Sequence, residues 1–64
     1  MKKFVVVVSY PGTDRKPLID IVKTKKPLTI FDWAQKAFYH DEEDIENFLQ
    51  AVAENEIYIE CVEV

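Results

Sequence analysis

Glycine is nearly missing from this chain: Gly12 is the only one in 64 residues, alongside three prolines. So little of either residue leaves small room for long irregular loops, and most of the chain must lie in regular elements. There is one cysteine, Cys61. It excludes an internal disulfide, which favours a reducing cytoplasm over the secreted, disulfide-stapled miniproteins. There is one histidine, His40, and no second imidazole to join it in a metal site. No apolar run nears the roughly 20 residues of a membrane helix. Met1-Lys2-Lys3 followed by Phe4–Val8 superficially resembles the start of a secretion signal. The apolar run is too short for one, and Tyr10-Pro11-Gly12 ends it before any small-residue cleavage site. Basic residues are absent after Lys36.

That last absence divides the chain electrically. Residues 1–36 carry a formal +5 and residues 37–64 a formal −9, for a net −4. Two faces of opposite sign are therefore possible on one small body. Hydrophobic residues make up 48% and eight are aromatic, a globular composition rather than a disordered one. Sixty-four residues form a single domain, 1–64, whose expected stability is roughly 3–10 kcal/mol at 0.05–0.15 kcal/mol per residue.

Phe4–Val8 is an unbroken run of Phe and Val, apolar on both faces. It reads as a central strand. Pro11-Gly12 suits a turn, and Leu18–Thr24 reads as the hairpin partner. Thr29 has the character of a helix N-cap, with Asp32 completing a short-armed capping box and Leu28 and Trp33 placed for a hydrophobic staple. The apolar stripe continues through Ile30, Ala34, Ala37 and Phe38 to about Tyr39. Asp41 offers a second N-cap, followed by Ile45, Phe48, Leu49 and Val52 at helical spacing, with Asn55 as a stop. One straight helix from Thr29 to Glu54 would be about 39 Å long, against strands of about 20–27 Å. A break near His40-Asp41 is therefore expected. Glu56–Val64 reads as the last strand. The predicted fold class is α+β, ordered β-β-α-α-β: a three-stranded sheet with the first strand central and the helices packed on one face.

Alternation along the strands assigns faces. Phe4, Val6 and Val8 are expected to face the helices with Ile19, Ile21, Ile57 and Ile59. Val5 and Val7 then point away, joined by Val22, Tyr58 and Val62, with Asp20 and Glu60 among them. Two short helices cannot cover both faces of a sheet, so this outer side is either scattered surface valine or an interface.

The densest polar cluster is Asp41, Glu42, Glu43, Asp44 and Glu46. Acids at a helix start are favoured by the helix dipole, which accounts for most of them. They also form a surface of one sign that steers basic partners. His40 and Asp44 stand four apart, but no second His, Cys pair or calcium-loop spacing supports a metal site. Cys61 reads as a packed strand residue rather than a nucleophile with His40 as its base. Arg15, Lys16, Lys23, Lys25 and Lys26 form a basic patch. With a pI near 4.8 and an acidic second half, edge protection is a simpler account of it than nucleic-acid binding. Trp33 reads as part of the core or of the staple, while a partly exposed Trp33, Tyr39 or Tyr58 would suit a partner anchor.

In its layout the chain resembles the small single-domain proteins that bacteriophages encode to inhibit host enzymes, bacterial RNA polymerase among them. The hairpin Lys2–Thr24, the helical segment from Thr29 and the last strand Ile57–Val64 carry the likeness. The second helix departs from it, and no functional residue is carried over. The resemblance implies stoichiometric binding to a host protein without cofactor or catalysis. The expected function is thus a non-enzymatic, cytoplasmic protein-binding module with no catalytic, cofactor or metal site and no membrane association. Its partner would be a larger cytoplasmic protein that processes nucleic acid, met through the acidic helix (Asp41, Glu42, Glu43, Asp44, Glu46), the sheet face (Val5, Val7, Tyr58), or both. A homodimer joined through the sheet, and a nucleic-acid-binding accessory domain using the basic hairpin, are the alternatives.

Overall fold

A computed structural model describes residues 1–64. Along the chain run β1 (Lys2–Ser9), β2 (Leu18–Thr24), α1 (Ile30–Ala37), α2 (Glu42–Ala53) and β3 (Tyr58–Glu63). The sheet order is β2-β1-β3, with both pairs antiparallel. This is the predicted α+β arrangement with the first strand central. The long β-branched stretch lies where both of its edges are paired, and one side of it is fully covered by helix.

The β1–β2 connection turns at Tyr10-Pro11-Gly12-Thr13. Gly12 has φ +76°, which the third position of this turn requires, and the Thr13 N–H donates to the Tyr10 carbonyl at 3.3 Å. α1 begins as its sequence dictates. Thr29 Oγ1 accepts from the Asp32 N–H at 3.0 Å, and Asp32 Oδ2 accepts from the Thr29 N–H at 3.3 Å. Trp33 belongs to the buried core cluster, and Leu28, partly buried, packs against that cluster. α2 begins on Asp41, whose Oδ1 accepts from the Asp44 N–H at 3.1 Å.

Both helices end in the same motif. In α1 the His40 N–H reaches the Gln35 carbonyl and the Tyr39 N–H reaches that of Lys36. In α2 the Glu56 N–H reaches Ala51 and the Asn55 N–H reaches Val52. These are Schellman pairs, which place the residue after the cap in the left-handed region. Asn55 suits that role at φ +63°. Tyr39 fills it at φ +52°, followed by His40 at φ +61°, where a Cβ is disfavoured. The break near His40-Asp41 is therefore a full helix stop and restart, and α1 ends at Ala37 rather than at Tyr39.

The core gathers Val6, Val8, Val22, Trp33, Ala34, Ile45 and Phe48, with Phe4 buried beside it. Phe48 sits at its centre, its ring centroid 5.7 Å from that of Trp33 and 5.3 Å from that of Phe38, both tilted. Each helix buries residues in the same cluster as Val6 and Val8, so both lie on one side of the sheet.

The faces of β1 and β3 are as predicted, but β2 is reversed. Its register sets Ile21 beside Val5 and Ile19 beside Val7, while Val22 pairs with Phe4 and Asp20 with Val6. Cross-strand partners share a face. Ile19 and Ile21 therefore point away from the helices, 67% and 57% exposed, and Val22 is buried. The cause is Asp20. Its Oδ2 accepts from the Trp33 indole N–H at 3.0 Å, and its Oδ1 accepts from the Ile21 backbone N–H at 2.9 Å. A core tryptophan needs an acceptor for its N–H. Turning Asp20 inward supplies one, and a one-residue change of phase carries every other side chain of the strand with it.

Candidate interaction surfaces

The reversal of β2 enlarges the outer face of the sheet. Reading across the pairings, one row is Ile21, Val5 and Val62, and the next is Ile19, Val7 and Glu60. Tyr58 lies beyond them, opposite Ser9. Lys3 and Lys23 face each other at the opposite end. Val5 and Val7 are half-buried by their neighbours, while Tyr58 and Val62 are exposed. The result is a continuous apolar strip with cations at one end and a carboxylate at the other. Such a contiguous patch differs from the isolated surface valines that need no explanation.

Of the residues expected here, Val5, Val7, Tyr58, Val62 and Glu60 are brought together, whereas Val22 and Asp20 are not. Ile19 and Ile21 belong to the patch and were not expected in it. One signal in the sequence pointed to them: Lys23 shares their parity, so burying that face of β2 would have buried a lysine as well.

The acidic cluster sits at the start of α2, with Asp41, Glu42, Glu43, Asp44 and Glu46 all exposed. Asp41 is engaged as the N-cap, and Glu42, Glu43 and Asp44 occupy the first turn, where the dipole favours them. Glu42, Glu46 and His40 line a shallow cleft of about 350 Å³ with Phe31, Ile45 and Leu49. These acids stand on the helical side of the sheet, opposite the apolar strip, so one flat partner cannot engage both.

The two charge poles are less separate than the sequence suggests. Arg15 stacks on the Tyr10 ring, its guanidinium carbon 4.1 Å from the centroid, and lines a cleft shared with Asp44 and Asn47. The basic hairpin tip and the acidic helix thus flank one depression.

Cys61 lies on the inner side of β3, half-buried against the core. Burial pushes its thiol above the ordinary value, away from nucleophilic use at neutral pH. His40 lines two clefts and Cys61 lines neither. No group of three or more His, Cys, Asp and Glu side chains is placed to hold a metal ion, and no helix is long and apolar enough to cross a membrane. Trp33 is core, as expected, while Tyr39 stands 91% exposed at the α1 terminus. No protein family, curated protein or solved structure matches the chain.

Proposed function

We propose that the protein is a non-enzymatic binding module that docks on protein through the outer face of its sheet. One observation carries this reading: Ile19, Ile21, Val5, Val7 and Val62 form an unbroken apolar strip that nothing in the chain covers. Leaving such side chains in water forgoes about 25 cal/mol for each Å² that a partner would bury. The acids of α2 play a secondary part. Capping explains their positions, and their field favours approach by basic molecules without touching the same surface. This keeps the stoichiometric mechanism implied by the resemblance to phage-encoded inhibitors, and its setting is the cytoplasm, as the unpaired cysteine favours.

Ile21→Lys and Val7→Lys test the proposal. Each puts a charge in the middle of the strip at a position outside the core. Both variants are expected to keep the native circular dichroism spectrum and to lose retention of the protein that the unaltered chain binds. Retention that survives both changes would place docking elsewhere. Loss on reversing Glu42, Glu43 and Glu46 to Lys, with the sheet variants unaffected, would move it to α2.

A further inference from the structure

Resting on that reading, we infer that the protein docking on the outer face is a second copy of this chain. The two copies are related by a two-fold axis that lies in the interface plane and runs across the strands. The distribution of charge on the strip points to this arrangement. Lys3 and Lys23 pair at one end, and Glu60 stands beside Val7 two rows away. At 3.3–3.4 Å per residue those ends are roughly 13 Å apart.

A two-fold axis along the strands would lay Lys3 against the partner's Lys3, and like charges in contact oppose association. An axis across the strands reverses the order of the rows. Lys3 and Lys23 then approach the partner's Glu60, and by symmetry the same contact forms a second time. The axis then passes through the row between these charged ends, so Val5, Ile21 and Val62 lie over the same three residues of the partner. Twisted sheets packed face to face cross at about 30°, and a tilt of that order carries the lysine end toward the β3 side, where Glu60 stands. The contact is isologous and closes on itself.

Three strands about 4.8 Å apart and three overlapping rows of outward residues, about 6.7 Å each, give a footprint of roughly 300 Å² per copy. A standard interface uses about 800 Å² per partner. The pair is therefore a weak, concentration-dependent dimer and not an obligate one.

Sedimentation equilibrium of the full chain at low salt, from micromolar to millimolar concentration, reads the association. The mass is expected to rise from 7.5 kDa toward twice that value. Glu60→Lys alone, and Lys3→Glu with Lys23→Glu, should each weaken pairing at least tenfold while leaving the circular dichroism unchanged. An equimolar mixture of those two variants should recover pairing, since one presents only cations and the other only carboxylates. A native chain that stays at 7.5 kDa throughout overturns the inference, as does a mixture that fails to pair. Association that survives both the charge swaps and Ile21→Lys belongs to a strand edge and also overturns it. If the native chain is monomeric yet binds a different protein in an Ile21-dependent way, self-pairing fails and the docking reading stands. If no protein is bound through this face at all, both fail.

Discussion

Val6 and Val7 are neighbours in β1 with the same side chain and opposite surroundings. Val6 is wholly buried, under the helices, while Val7 stands on the bare face between Ile19 and Glu60. The same contrast holds between the two sides of the whole sheet. Both are apolar, and only one is closed by Trp33, Ala34, Ile45 and Phe48. Composition does not separate the two sides. What distinguishes them is which side the helices cover, and the helices are directed there by caps, by their amphipathic stripes and by one hydrogen bond to Asp20.

Substitutions can widen or collapse that contrast. The largest effect is expected inside. Phe48→Ala removes the ring between Trp33 and Phe38 and should cost about 3–5 kcal/mol in urea unfolding. Against a total of roughly 3–10 kcal/mol, that is a third or more of the stability, and it unfolds the chain outright if the total lies at the lower end of that range. Asp20→Ala attacks the contrast at its origin. It leaves the Trp33 indole N–H and the Ile21 N–H without their acceptor, for a loss of about 1–2 kcal/mol. It also removes the reason for the phase of β2, so hydrogen exchange should quicken along Leu18–Thr24. Tyr39→Gly touches neither face and serves as a control. It relieves a left-handed Cβ at the Schellman position and should raise stability by about 0.5–1 kcal/mol, read as an increase in the urea midpoint. The smallest effect on the monomer belongs to the outer face: Ile21→Lys should change unfolding free energy by less than about 0.5 kcal/mol. A loss comparable to that of Phe48→Ala would mean that the outer strip is core after all.

The sequence was most informative where the signal was local. Thr29 with Asp32, Asp41 at the second helix and Asn55 at its end are each satisfied by atoms a few residues away, and all three behave as predicted. The central place of β1 was legible because its run is apolar on both faces. β2 was misread because its phase depends on a tryptophan 13 residues from Asp20. Alternation alone sends a carboxylate outward, and only the unmet indole donor reverses that. The Tyr39 conformation was hidden for a similar reason, since its backbone angle is set by where α2 must restart rather than by a preference of tyrosine. The meeting of Arg15 with the acidic helix follows from the fold of the hairpin, and no spacing in the chain announces it.

The bond from the Ile21 N–H to Asp20 has one more consequence, and it concerns growth. A sheet becomes a fibre only when both of its outer strands can accept a newcomer, each addition exposing the next template. In β2, the outermost strand on one side, a backbone donor is already taken by a carboxylate of its own chain. Only β3 is left without such a guard. An edge contact at β3 would be separate from the face-to-face pair, and it would leave outward only β2 margins on which a donor is already engaged. Crowding this chain should therefore yield small finished assemblies rather than filaments.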